Sequence, residues 1–250
     1  MDITFCFDFS RSMASRITPI KNGAKTIDAD LREAFASREI PLGRLRVRAI
    51  AFSDIYVEGD RSLLSTPFCR LPEEKEVYFR YLTSFRPRSG GDDPESGLDA
   101  LVLAMAGEWE RDSESVYHVI FLWTDASAHM PGSRSRPWFL PRIIPNRMEE
   151  ITELWHGGLM ESASRLLILA TPDTEPWHSI AEEWADVVLI TFPQEPHLPE
   201  GKRTDVESSE SMDSFDSNNS TEEERERPIA EWADVIDIVT DSIRDSLSSR

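Results

Sequence analysis

Five near-continuous apolar runs punctuate the chain, and they restrict its fold more than any other feature. They are Ile3 to Phe9 (ITFCFDF), Leu45 to Phe52 (LRVRAIAF), Val116 to Trp123 (VYHVIFLW), Arg165 to Ala170 (RLLILA) and Val187 to Phe192 (VVLITF). Runs of this length, rich in β-branched and aromatic residues, suit strands buried on both faces. The second run begins with alternation, which sets Leu45, Val47 and Ala49 on one face.

Between the runs the period becomes helical. Ile20, Ala24, Ile27, Leu31 and Phe35 recur at helical spacing within Ile17 to Phe35. Further helices are expected over Pro72 to Ser84, Ser96 to Trp109, Met148 to Trp155 and Ser179 to Trp184. Strands alternating with helices require right-handed crossovers and a parallel sheet covered on both faces. The expected fold is therefore α/β, a doubly wound, mostly parallel sheet in one domain over residues 1–192.

Beyond that domain the pattern breaks. Residues 193–227 hold eleven acids, four bases and many Ser and Asn, the composition of a disordered acidic insert. Residues 228–250 resume a helical period through Ile229, Trp232, Val235, Ile236, Val239, Ile243 and Leu247. That stretch is expected to be an amphipathic helix packing back on the domain.

A formal net charge of −19 argues against nucleic acid as a partner, because its phosphates need a basic surface. Cys6 and Cys69 are too few for a disulfide framework and lack C-x-x-C spacing, which fits reduced thiols. No run reaches the ~18–20 apolar residues of a membrane span. No basic and apolar leader precedes the first strand, so the expected location is the cytoplasm, with no membrane partner.

Ligands of an open parallel sheet bind outside the carboxyl ends of its strands. Three polar clusters fall on that edge: Asp8-Phe9-Ser10-Arg11-Ser12, Asp92-Asp93-Pro94-Glu95 and Thr124-Asp125. Carboxylates gathered there repel one another unless a cation joins them. Hard oxygen ligands suit Mg²⁺, with Mn²⁺ or Ca²⁺ as substitutes, rather than zinc. The alternative is local: Ser10, Ser12 and Asp93 as helix N-caps and Asp125 in a turn. The five histidines show no ligand spacing, and His129 stands nearest in sequence to Asp125.

The same residues resemble the von Willebrand factor A family. Asp8-Phe9-Ser10-Arg11-Ser12 is similar to its Asp-x-Ser-x-Ser metal-ion-dependent adhesion motif. Gly90-Gly91-Asp92-Asp93-Pro94-Glu95 looks like the Gly-Gly-x-Asp-x-Pro-Glu loop of many bacterial members, and Thr124-Asp125-Ala126 corresponds to the third metal loop. The resemblance covers roughly residues 1–192. It implies that Asp8, Ser10 and Ser12 are metal ligands and that Asp125 binds through water. The middle loop departs from members that use Thr there; Glu95 is the preferred substitute, and Asp92 the second choice. The resemblance also implies a module whose metal receives an Asp or Glu of a protein partner. Cytosolic members serve as regulatory or scaffold subunits beside AAA+ ATPases or other effectors.

The flanking residues refine the expected partner. Arg134, Arg136, Arg142 and Arg147 occupy an acid-free stretch with Trp138 and Phe139, while Arg11, Arg16, Arg86 and Arg88 flank the other loops. Arg and Trp are enriched at binding hot spots. Arg11, Arg88, Arg134, Arg136, Trp138 and Phe139 are therefore expected to form a basic, aromatic rim for an acidic partner.

The rival class is a Mg²⁺-dependent phosphohydrolase or nuclease-like enzyme, because oxygen-ligated Mg²⁺ can activate water. Haloacid dehalogenase-type phosphohydrolases need a second Asp two residues after the first, and Ser10 stands there. Neither G-x-G-x-x-G, a Walker A sequence nor G-x-S-x-G occurs. The expectation is a non-enzymatic module.

Overall fold

The computed structural model describes residues 1–87, 93–111, 117–135, 137–157, 164–191 and 232–248. The apolar runs form β1 (Asp2–Asp8), β2 (Leu45–Phe52), β5 (Tyr117–Trp123), β6 (Ser164–Thr171) and β7 (Val187–Thr191). They pair in parallel in the order β2-β1-β5-β6-β7. Every residue of β1 is buried, as a central strand covered on both faces requires.

Two strands have no counterpart in the sequence pattern. β3 (Leu63–Ser65) and β4 (Cys69–Leu71) both run antiparallel to β2 and together make one interrupted edge. Ile50 pairs with Ser65 and Val47 with Cys69, so two residues of β2 oppose three on the edge. The extra residue is a bulge, which suits Pro67 because proline has no N–H to contribute to a ladder. Thr66 closes the gap. Its amide donates to the Ala49 carbonyl at 2.9 Å, and its Oγ1 accepts from the Ala49 amide at 3.0 Å.

Helices cover both faces. On one side α1 (Ala14–Ser37), α3 (Lys75–Ser84) and α7 (Trp232–Ser248) bury Ile27, Leu31, Tyr78 and Val239 against Phe5, Phe7 and Phe121. On the other, α4 (Gly97–Met105), α5 (Met148–His156) and α6 (Trp177–Glu183) bury Leu101, Trp155 and Trp177 against Cys6, Ile120 and Leu167. A short α2 (Ile55–Glu58) follows β2. The chain is thus a doubly wound α/β protein with a mostly parallel seven-stranded sheet.

Some boundaries differ from the sequence reading. α3 begins at Lys75 because Pro72 to Glu74 form a turn, with the Lys75 amide donating to the Pro72 carbonyl. α4 stops at Met105, and Trp109 folds back so that its indole N–H donates to the Ala104 carbonyl at 2.9 Å.

α7 is keyed into α1. A Cβ on Gly23 would come within 2.3 Å of the Trp232 ring, so only glycine admits the indole there. Trp232 stacks on Trp123 at 6.2 Å and donates to Asp30 Oδ2 at 2.8 Å. Arg38 secures the far end of the contact through Asp237. The acidic stretch 193–227 lies outside the described residues.

Candidate functional site

β1 and β5 are neighbours in the sheet, but β1 continues through α1 on one face to β2 and β5 continues through α5 on the other face to β6, and this reversal opens a crevice at the carboxyl edge. Asp8 ends β1 inside that crevice and is fully buried. Its Oδ1 accepts from the Ser10 amide at 2.7 Å and its Oδ2 from Thr124 Oγ1 at 2.5 Å. Ser12 Oγ donates to Asp125 Oδ1 at 2.8 Å. A hydroxyl has one proton, so Ser10 Oγ is the donor across the 2.9 Å separating it from Ser12 Oγ. Arg16 reaches toward Asp125 Oδ2 at 3.9 Å.

These side chains are not spent as helix caps. The N-cap of α1 is Met13 and that of α4 is Ser96, and neither makes a side-chain capping bond. Asp93 instead staples the neighbouring loop, its Oδ1 accepting from the Ser127 amide at 2.7 Å and the Ser127 hydroxyl at 2.9 Å.

Glu95 is held beside the β5 loop by its backbone: its amide donates to the Ser127 carbonyl at 3.0 Å, and its carbonyl accepts from the His129 amide at 2.9 Å. Glu95 is 2% exposed, and among the described residues its Oε2 has no hydrogen-bond partner. Burial, followed by repulsion from Asp8, Asp54, Asp125 and Asp93, pushes the Glu95 pKa up to about 9. Burial also raises Asp8 to about 6, against the bonds from Thr124 and Ser10.

Those facts bear on whether a cation suits the site. A buried carboxylate oxygen without a donor is costly, and several carboxylates share one crevice here. Both features are relieved by positive charge. Among the described residues, no group of three or more His, Cys, Asp or Glu side chains gathers into a chelating set of its own. The cluster alternates carboxylates with hydroxyls instead, a donor set that suits a hard ion retaining water. Asp8, Ser10, Ser12, Asp125 and Glu95 fit such an ion. Asp92 lies outside the described residues.

Sequence reasoning missed a second buried pair on this edge. Asp54 follows β2, its Oδ1 accepting from the Tyr56 amide at 2.8 Å and facing His129 Nε2 at 3.0 Å. The Tyr56 ring meets His129 edge-on at 4.8 Å, and Arg134 lies over Tyr56 at 4.9 Å. The available signal was positional, since Asp54 follows its strand much as Asp125 follows β5. Trp177 was missed too. Its indole N–H donates to the Ala126 carbonyl at 2.9 Å and pins the Asp125 loop from below.

The rim residues separate into groups. Arg11, Arg134 and Arg142 are exposed, and Trp138 is 93% exposed. Phe139 meets Trp138 edge-on at 5.8 Å but packs against the second core, so Trp138 carries the projecting surface. Arg147 is paired with Glu150 at 2.8 Å, just beyond the acid-free stretch. Arg88 and Arg136 lie outside the described residues. No helix among the described residues is long and apolar enough to cross a membrane.

No protein-family model and no curated protein matches the chain. Solved structures do resemble it. The pilus adhesin SpaC from Lactobacillus rhamnosus GG, in its open conformation, is 16% identical over 73% of this chain and 26% of the adhesin, with a TM-score of 0.44. A von Willebrand factor type A protein from Catenulispora acidiphila is 13% identical over 76% of this chain and 38% of that one, with a TM-score of 0.41. The conserved hypothetical protein BatB from Bacteroides thetaiotaomicron is 12% identical over 68% of this chain and 66% of its own, with a TM-score of 0.38. This chain therefore spans less than two thirds of each. Its own strand order and directions, independent of these similarities, define the doubly wound α/β fold.

Proposed function

We propose that the chain is a von Willebrand factor A-like, divalent-cation-dependent protein-interaction module. It is read as a regulatory or scaffold subunit of an intracellular complex, without catalytic activity of its own. The observation that carries the reading is the buried Glu95 oxygen, which has no donor among the described residues, in a crevice shared with Asp8 and Asp125. Asp8, Ser10, Ser12, Asp125 and Glu95 would hold Mg²⁺, with Mn²⁺ or Ca²⁺ as alternatives. The bound ion supplies a Lewis-acidic position able to accept a carboxylate oxygen from a partner.

The chain's own groups would do the remainder. Asp8 is fixed by the Ser10 amide and the Thr124 hydroxyl, so it presents its charge without reorganisation. Trp177 holds the Asp125 loop in place. Exposed Arg11, Arg134 and Trp138 then favour an acidic protein surface, such as one on an AAA+ ATPase or another effector.

Two measurements test this. Calorimetric titration with each ion should detect binding to the wild type and none to Asp8→Ala. Recovery of the cellular partner should be lost both in EDTA and with Asp8→Ala; recovery indifferent to both refutes the reading. Mg²⁺-dependent hydrolysis of aryl phosphates, abolished by Asp8→Ala, would instead establish the phosphohydrolase alternative.

A further inference from the structure

On the β2 flank of the same sheet edge lies a second pocket of about 200 Å³, its open mouth included. Phe9 and Phe85 make one wall, edge to face with centroids 5.6 Å apart, and Ser53, Leu64, Arg61 and Arg86 complete it. Phe9 stands between Asp8 and Ser10 in the chain, so this wall adjoins the loop proposed to hold the cation.

The lining is cationic and lacks acids. None of the described residues lining the pocket is acidic. Arg61 and Arg86 are exposed, and among the described residues neither has a carboxylate partner; Arg86 bonds only the Thr83 carbonyl. Lys21 approaches the same wall from α1, its Nζ donating to the Phe85 carbonyl at 2.7 Å and lying 4.8 Å from the Phe9 ring centroid. Burial, then the charges of Arg86 and Lys25, push the Lys21 pKa down to about 8. These cations repel one another, and an anion among them would relieve the repulsion. Ser53, 1% exposed, adds a buried hydroxyl that has no hydrogen-bond partner among the described residues.

We propose that this pocket receives a second carboxylate of the partner, so that the module reads two acidic side chains close in sequence. One engages the cation site and the other sits between Arg61 and Arg86, near the Ser53 hydroxyl. The inference rests on the cation-dependent docking proposed above. A protein segment is the favoured source because it supplies both carboxylates on one backbone. Side chains two residues apart on an extended peptide lie on one face roughly 7 Å apart, a span suited to neighbouring subsites.

The test uses fluorescein-labelled Gly/Ser peptides carrying one Asp, or one Asp with a second placed one, two or three positions on. Anisotropy is read with the full chain in Mg²⁺ and in EDTA. One spacing should bind about tenfold tighter than the single-Asp peptide. The Arg61→Gln/Arg86→Gln variant should lose that gain while keeping single-Asp affinity within about twofold. The charge control Arg32→Gln/Arg244→Gln should lose neither. Equal binding of all peptides, or a gain that survives Arg61→Gln/Arg86→Gln, overturns the proposal. A gain that persists in EDTA keeps the pocket and overturns cation-dependent docking. Binding of no peptide in either condition overturns both.

Discussion

β1 buries an aspartate at each end, and the two carboxylates meet different surroundings. At the amino edge, Asp2 is 1% exposed and accepts from Arg46 Nε at 2.8 Å, from Arg46 Nη2 and from the Glu110 amide at 2.7 Å. The Arg46 guanidinium is itself covered by the Phe68 ring at 4.8 Å. At the carboxyl edge, Asp8 is equally buried but is bonded by an amide and a hydroxyl, with Glu95 and Asp125 close enough to repel it. Residue type, strand and burial are the same, so the difference lies in the neighbours. The amino edge neutralises its buried charge within the fold. The carboxyl edge concentrates negative charge, an arrangement that becomes favourable when a positive ligand arrives.

The largest test removes one aspartate at a time. Asp2→Ala leaves Arg46 partly buried without its partner and should cost about 3 kcal/mol in urea unfolding. Asp8→Asn removes a charge from a repulsive site while keeping the shape. It should lose less than about 1 kcal/mol of cation-free stability. Equal losses would erase the contrast between the two ends.

A slightly smaller effect separates them by ligand. Mg²⁺ at about 100 times its Kd should stabilise the wild type by about 2.7 kcal/mol, read as a rise in Tm. Asp8→Asn and Glu95→Gln should show no rise, whereas Asp2→Ala should show it from a lower starting Tm. A rise in all four proteins would place the ion elsewhere.

The pH dependence sharpens the comparison further. The unfolded chain ionises Glu95 near its ordinary value of 4.5, while the folded site holds the proton to about 9. Cation-free stability from this group is therefore full below pH 4.5 and falls as pH rises toward 9. Asp8, raised to about 6, adds to the same decline between its ordinary 3.8 and that value. Glu95→Gln should flatten the upper part of the curve, and a saturating cation should offset the decline. An unchanged slope in Glu95→Gln would remove Glu95 as its cause. The smallest expected effect is Ser12→Ala, which loses the bond to Asp125. It should cost under about 1 kcal/mol in urea unfolding yet weaken cation binding about tenfold by calorimetry.

The comparison also explains what was legible in the chain. The central strands β1 and β5 were plain because a strand buried on both faces needs an almost unbroken apolar run, whereas β7, read from the same kind of run, is an edge strand that is only half-buried. β3 and β4 were not plain, since three residues apiece are too few to display a period. The gathering of Asp8, Ser10, Ser12, Glu95 and Asp125 at the carboxyl edge was legible because each lies in a short polar stretch, after a strand or in the loop before a helix, at the edge where an open sheet collects its loops. The Asp54 to His129 pair was not, because its partners are 75 residues apart and neither belongs to a motif. The amino-edge network escaped for the same reason: Arg46 reads as one polar residue in an apolar strand, and its partner is 44 positions away.

The broken border beside β2 affects how the molecule behaves among copies of itself. An uninterrupted edge strand offers a template onto which another chain can add. Here each flat piece is three residues long, and Pro67, between them, cannot donate to an incoming strand. This protection is built into the backbone and owes nothing to ionic strength. At high salt, where a net charge of −19 is screened and ceases to hold copies apart, it should still keep this border from nucleating aggregates.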